Sequence, residues 1–459
     1  MKKLSLMDNG FLMAESVQAP SHVAGLLVFK LPKGVRQKDF YGKIMKNFGE
    51  MAAVTPPFNQ RLQLPLFNLG QPGWVMDEDI DLSYHIRHSA LPGPGTMEQL
   101  KKLVSRLHSN LLDRTRPLWE VHLIEGLRGG RFALYFKIHH ACIDGVGSMN
   151  MIKVILSTSP EAEIAATIDD GPSEQDTNTG QSANTGVIER ARAGLSLAPE
   201  IGNAIMEMGR NILGRNDETP ALWYTAPKTI LNRPLTGQRR VAVRSFSLDE
   251  FKRVRVVYDV TLNDVVLSIC SGALRRYLLD KDALPGRSLN ACLPVSVRPR
   301  DDTEKSGNVF ATMMCRLGTH IDDPLKRLCF VNRSTSQGKA AYAKMSPKSI
   351  LGLSMMTGAP LVAGQMLRIA PKLPLAFNLV ISNVQGAGQP LYMNGARMES
   401  FYGMSLLYNM QALTIAITSY VNSLDFCLVS CRKTIPDLNN IIDYIADEFD
   451  ILKKLSAAD

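Results

Sequence analysis

Several absences narrow this sequence before any of its motifs is considered. Its seven cysteines fall without C-x-x-C spacing, which speaks against a zinc ribbon or a disulfide framework and fits reduced thiols. Aromatic residues make up only 7%, and no segment has the look of an RNA- or DNA-binding module, so nucleic acid is not an expected partner. No apolar run reads as a transmembrane helix. The start, Met1-Lys2-Lys3-Leu4-Ser5-Leu6-Met7-Asp8, meets an acid before a signal-peptide core can form. The expectation is a cytoplasmic protein, with peripheral attachment to the inner membrane or to lipid inclusions left open. There is no G-x-S-x-G elbow, so an enzyme-bound serine nucleophile is not indicated.

What is present is ample. With 459 residues, 45% of them hydrophobic, the chain exceeds one ordinary core and predicts two domains. The net charge of +9 is uneven, because residues 161–186 hold six acids and no lysine or arginine. The basic remainder suits phosphorylated ligands or an anionic lipid surface; a merely solvated basic surface is the plain alternative.

The chemistry concentrates in His139-His140-Ala141-Cys142-Ile143-Asp144-Gly145. Before it, Phe132, Leu134, Phe136 and Ile138 alternate with Ala133, Tyr135 and Lys137, the period of a strand with one strongly apolar face. Neighbouring strand residues point to opposite faces, so His139 and His140 cannot share one environment. One imidazole can face a reaction cavity while the other is built into the scaffold. A neutral imidazole is the best unperturbed proton acceptor near pH 7, and it would act here directly on a hydroxyl or amine. A histidine pair also serves plain structural purposes. A metal is not expected, since the two side chains diverge and no further ligands follow at fixed spacing.

Elsewhere the signals are local. Thr96 and Gln99 form a capping box ahead of Leu100, Leu103 and Leu107. Residues 157–186 read as a flexible acidic linker, and Ile201, Ile205, Met208 and Ile212 as one face of an amphipathic helix. Thr261 caps a helix whose first turn holds Asn263 and Asp264; capping or support of an oxyanion could be their use. His85 and His88 read as a polar strand surface, and Tyr392-Met393-Asn394-Gly395-Ala396 as a tight hairpin. Between Lys348 and Arg368 lie 19 uncharged residues interrupted by Gly352, Gly358, Pro360 and Gly364. That pattern predicts a helix pair that touches a membrane surface, lines an acyl channel, or is simply buried. Leu438, Ile442, Ile445 and Phe449 mark a docked terminal helix.

The His139-His140-x-x-x-Asp144-Gly145 block resembles the signature of the CoA-dependent acyltransferase superfamily, which includes chloramphenicol acetyltransferases and peptide-synthetase condensation domains. Pro117-Leu118-Trp119-Glu120, Asn263-Asp264, Pro294-Val295-Ser296-Val297-Arg298 and Ser382-Asn383-Val384 are similar to blocks of a narrower group, the bacterial wax ester synthase/acyl-CoA:diacylglycerol acyltransferase family. That group's usual proline and Gly-Pro are Gln385 and Gly386-Ala387 here. The resemblance implies an α/β fold of two chloramphenicol-acetyltransferase-like domains, mixed sheets flanked by helices, with an active-site channel between them. The expected division is 1–156, the linker 157–186, a connector 187–240 and a second domain 241–459. It further implies acyl transfer from acyl-CoA to a fatty alcohol or diacylglycerol, with His140 as general base and no cofactor. His139, Asp144 and Gly145 support the motif, with Arg298 the candidate partner of Asp144. Asn263, Asp264 and Arg298 are structural or oxyanion candidates, and Pro117, Trp119, Ser382 and Asn383 candidates for the substrate channel. A carrier-protein-dependent acyltransferase and a non-catalytic lipid-droplet coat are the alternatives.

Overall fold

The computed structural model describes residues 2–64, 72–143, 151–152, 155–162, 221–296 and 310–457. Asp144, Gly145, Arg298, most of the acidic linker and the expected helix around 201–212 lie outside these residues.

The first half runs β1 (Lys2–Lys3), α1 (Leu6–Ala14), β2 (His22–Lys30), α2 (Gln37–Val54), β3 (Gln60–Gln63) and β4 (Gly73–Met76). It continues through α3 (Leu82–His85), β5 (Ile86–Ala90), α4 (Met97–Leu107), β6 (Trp119–Leu127) and β7 (Arg131–His139). The second half opens with β8 (Arg239–Ser247), α5 (Leu248–Val257), α6 (Leu262–Leu279), β9 (Asn290–Ser296) and β10 (Phe310–Arg316). Two long helices follow, α7 (Pro324–Ala343) and α8 (Pro347–Met366). The chain ends with β11 (Leu379–Val384), β12 (Tyr392–Met393), β13 (Ala396–Met404), β14 (Leu413–Tyr420), β15 (Ser423–Cys431) and α9 (Leu438–Ser456).

Two six-stranded mixed sheets result, ordered β12-β13-β2-β7-β6-β5 and β10-β9-β11-β14-β15-β8. β5 and β6 are parallel because the α4 crossover joins them, a connection that returns the chain in the same direction. α4 starts at the Thr96–Gln99 capping box, as the sequence predicts. β12 and β13 turn through Asn394 and Gly395, both at positive φ, the conformation a two-residue type I′ hairpin demands.

β13 lies late in the chain yet pairs with β2 of the first sheet. It also reaches the second sheet: the Phe401 N–H donates to the Asp425 carboxylate at 2.7 Å, and the Tyr402 and Ser245 hydroxyls lie 2.9 Å apart. One hydrophobic core accordingly contains Leu26, Ile124 and Ala133 together with Val241, Leu274 and Ile415. A second core under α2 holds Phe48, Trp119, Phe132 and Leu134.

Two expectations need correction. α8 is a single helix of 20 residues with Pro360 inside it, not a helix pair. An internal proline removes only one backbone donor, and Ser346 caps the start with Pro347 in the first turn. His85 and His88 do not form one polar strand surface. The strand begins only after His85, which is buried, stacks on Trp119 at 4.5 Å and donates from Nδ1 to the Trp119 carbonyl at 2.8 Å. Among the described residues no single helix is long and apolar enough to cross a membrane.

β7 is central and buried on both sides, and its second face carries charge. The Lys137 side chain is 0% exposed and lies 3.3 Å from Glu120 of β6, while its ammonium also donates to the Leu107 and Asn110 carbonyls. Burial pushes the Glu120 carboxyl up, but His122, Lys137 and Arg87 outweigh it and bring it down to about 2. Burial lowers the Lys137 ammonium while Glu120 opposes the fall. Removing one partner leaves a buried charge uncompensated, so Glu120→Ala is expected to destabilise the fold by about 3–5 kcal/mol in urea titrations at pH 7. The folded pKa lies below the ordinary value, so the stabilisation is complete above that value and fades as pH falls toward 2. Wild type and variant should therefore converge in strong acid; a constant difference would contradict the pairing.

Candidate active site

The alternation of β7 sorts its side chains into two surroundings. Leu134, Phe136 and Ile138 line a cavity of about 910 Å³, and His140 lines it beyond the strand end. Tyr135, Lys137 and His139, on the opposite face, are fully buried. The two imidazoles thus separate as the strand period predicts. The His140 N–H donates to the Ser21 carbonyl at 2.9 Å, which keeps the residue in line with β2. Its ring stacks on Phe11 of α1, with centroids 4.1 Å apart and planes at 17°.

The cavity wall draws on both halves of the chain. β2 gives Val23 and Gly25, α8 gives Ser354, Gly358 and Leu361, β11 gives Ser382 and Asn383, and β13 gives Phe401 and Met404. Gly25 is required where it stands: a Cβ there would lie 2.8 Å from the Phe401 ring. The lining is mostly apolar with a few polar groups, among them His140, Ser382 and Asn383, the composition that accepts a long apolar ligand.

His139 holds the turn instead of facing the cavity. Its Nδ1 accepts the Ala141 N–H at 3.1 Å, and its carbonyl accepts the Cys142 N–H at 2.9 Å. With Nδ1 accepting, the ring proton belongs on Nε2, which points to Glu15 at 3.5 Å. Glu15 in turn accepts the Ser21 N–H at 2.9 Å and two Arg114 bonds at 2.9 and 3.1 Å. Burial pushes the Glu15 carboxyl up, yet His139, Ser21 and Arg114 together hold it below the ordinary range. Glu15 and Arg114 escaped the sequence reading, since nothing in spacing ties residue 15 to residues 114 and 139. Phe11 escaped it too.

Of the remaining candidates, Asp264 is fully buried and committed. Its carboxylate accepts the Thr261 N–H and hydroxyl, the Thr335 hydroxyl at 2.6 Å and the Asn332 amide at 2.9 Å. Burial raises its pKa, but these bonds prevail and lower it. An ionised acceptor so occupied joins α6 to α7 and has no proton to offer an oxyanion. Asn263 instead accepts from the Asn383 amide at 3.4 Å. Ser382 and Asn383 line the cavity. Pro117 and Trp119 do not: Trp119 is 1% exposed, packs on Phe58 and His85, and donates from Nε1 to the Phe58 carbonyl at 2.7 Å. Pro117 is bridged to Arg61 of β3. Trp119, paired with Ile138 at the start of β6, is on the cavity-side face of the sheet but is covered by Phe48 and Phe58.

Comparison with known proteins agrees with this geometry. The sequence model of the wax ester synthase/diacylglycerol acyltransferase catalytic domain matches residues 4–266, and that of the corresponding C-terminal domain matches residues 306–453. A putative diacylglycerol O-acyltransferase of Mycobacterium tuberculosis is 39% identical over 458 residues, 99% of each chain. The O-acyltransferase WSD of Acinetobacter baylyi is 36% identical, covering 100% of this chain and 98% of its own. The solved wax ester synthase/diacylglycerol acyltransferase from Marinobacter aquaeolei superposes over 100% of both chains, with a TM-score of 0.78 and 35% identity. A condensation domain of the calcium-dependent antibiotic synthetase shares the fold alone, at a TM-score of 0.62 and 14% identity over 99% of this chain and 96% of that one.

Glu15→Ala tests the support of the turn. It strips His139 and Arg114 of a buried acceptor, and a loss of about 1–3 kcal/mol is expected in urea unfolding. An unchanged midpoint would mean that Glu15 is dispensable to the turn.

Proposed function

The chain belongs to the wax ester synthase/diacylglycerol acyltransferase family and is an acyltransferase; we propose that it moves a fatty acyl group from acyl-CoA to the hydroxyl of a long-chain alcohol or a diacylglycerol, with His140 as the general base. The observation that carries this reading is an imidazole at the wall of a large apolar cavity, braced by Phe11. In the proposed reaction the neutral imidazole takes the hydroxyl proton as the oxygen attacks the thioester carbonyl. The tetrahedral intermediate collapses with loss of the CoA thiolate, which recovers the proton from the imidazolium. Every proton is returned within the cycle, so neither an enzyme-bound acyl group nor a cofactor is called on. In this reading Asp144 and Gly145 shape the turn after His140, with Arg298 the partner of Asp144. Residues 1–156 and 241–459 act together as domains that wall one channel. The carrier-dependent reading rests on likeness of fold alone.

Both proposed substrates partition into membranes, and the surface near the cavity suits such a source. Met13 on α1 and Met366 on α8 line the cavity and are also exposed. Leu367 and Ile369 beyond them are exposed as well, with Arg368 and Lys372 alongside. Apolar side chains beside cations fit the interface of an anionic bilayer.

Two experiments test these assignments. With palmitoyl-CoA and hexadecanol, and products separated by thin-layer chromatography, His140→Ala should lose a factor of about 10²–10⁴ in kcat while keeping its circular dichroism. Wild-type turnover by the folded variant would end the base assignment. For the surface, Leu367→Asp with Arg368→Glu should abolish sedimentation with phosphatidylglycerol vesicles; undiminished binding would place the contact elsewhere.

A further inference from the structure

The part of the cavity that lies on the first sheet has a definite end. Along β7 its wall takes His140, Ile138, Phe136 and Leu134, every second residue, and then stops. The strand partners on β2 follow the same rows: Val23 lies opposite Ile138, Gly25 opposite Phe136 and Leu27 opposite Leu134. Directly opposed residues of an antiparallel pair share a face, and all three of these β2 residues line the cavity. The next row is Phe29 opposite Phe132. Both are 0% exposed and lie outside the lining.

That row is a floor of stacked rings. The Phe29 and Phe132 rings are 5.1 Å apart with planes at 13°. Phe40 and Tyr41 of α2 meet Phe132 edge-on at 5.8 and 5.5 Å. Met398 of β13, paired with Phe29, is buried beside them. Above the floor, Phe401 pairs with Leu27 and Phe48 of α2 faces the sheet, and both line the cavity. From Ile138 down to Leu134 the facing rows are therefore hydrocarbon or glycine. Such a groove accepts an alkyl chain and offers nothing to an amide, a phosphate or a sugar.

The depth of the groove can be read from the strand. His140 stays in line with β2 through its N–H on the Ser21 carbonyl, so residues 140 to 134 span about 20 Å at the rise of an extended chain. A straight hydrocarbon chain with C–C bonds near 1.5 Å advances about 1.25 Å per carbon, so about 16 carbons fit between the base and the floor. We propose that this face of β7 measures the alkyl chain of one substrate, acyl or alcohol, with Leu134 and Leu27 above the phenylalanine floor as its stop. This rests on the long-chain substrates of the proposed function. The cavity also runs over the second sheet past Cys292 and Val380, which leaves space for the other reactant.

The test compares wild type with Leu134→Phe and Leu134→Ala. Rates are measured with acyl-CoAs from octanoyl to eicosanoyl on decanol, and with alcohols of the same lengths on decanoyl-CoA. Displacement of cis-parinaric acid by the free alcohols gives a length profile that does not depend on turnover. In Leu134→Phe the ratio of kcat/KM for hexadecyl over decyl chains should fall by roughly tenfold or more in one series, since overfilling an apolar pocket by a single methylene already costs that much. In Leu134→Ala the eicosyl chain should gain on the hexadecyl. The series that shifts identifies the measured chain as acyl or alcohol. Length profiles that do not move in either variant, or rates that fall equally at every length, overturn the proposal. Failure of wild type with every substrate would instead refute the acyl transfer proposed above, and the displacement profiles would still decide for or against the stop at Leu134.

Discussion

The site depends on β7 being buried on both faces with unlike surroundings. A strand offers its side chains alternately to two sides, and here neither side is water. One face meets α2 and the cavity through Phe132, Leu134, Phe136 and Ile138. The other meets a buried polar layer: Tyr135 at 2.9 Å from His108, Lys137 on Glu120, and His139 facing Glu15. Burial lowers the His108 pKa to about 3 and drops His22 well below the ordinary imidazole range, so both rings sit in that layer neutral. A one-residue slip would exchange the two sets, driving lysine into the cavity and phenylalanine onto carboxylates. The penalty for unpaired buried polar groups thereby fixes the register that aims His140.

The second determinant is connectivity. A cavity between two sheets could open and close if the sheets were joined only by surface contacts. β13 removes that freedom, because it is hydrogen-bonded into the first sheet while Phe401 and Tyr402 reach strands of the second. α4 and the turn after it add a second tie, since the Ser105 and Ser109 hydroxyls accept the Val241 and Arg239 N–H groups of β8. The walls supplied by β2, β11 and β13 are thus carried by strands that cannot shift without breaking ladder bonds, which favours a preorganised site.

What was legible in the sequence was local. The alternation of β7, the Thr96 box, the Asn394-Gly395 turn and the apolar face of α9 each depend on neighbours within one turn or one strand. The separation of His139 from His140 followed from the same period. The missing features are long-range. Glu15 and Arg114 are 99 residues apart, β12 and β13 join a sheet whose other strands lie in the first half, and the burial of Trp119 depends on Phe48 of α2 and on Phe58. Lys137 shows the limit most clearly: its place on the non-cavity face was readable, but not that this face would be dry. Glycines misled at α8, where tertiary packing overrode helix propensity.

The charge balance, left ambiguous by composition, becomes meaningful only through position. A total of +9 spread over 459 residues says little about any one ligand, because exposed charges more than about 10 Å apart are largely screened at 0.1 M salt. Lys252 and Arg255 on one helix face are a different matter, since a multiply charged group near them would interact with both at short range. The apolar cavity and the cationic recess meet at Asn383 and Gln385. The departure from the family pattern, glutamine in place of the usual proline, therefore falls where the two environments join. The Gln385 side chain at that point can both donate and accept hydrogen bonds, which a proline ring cannot.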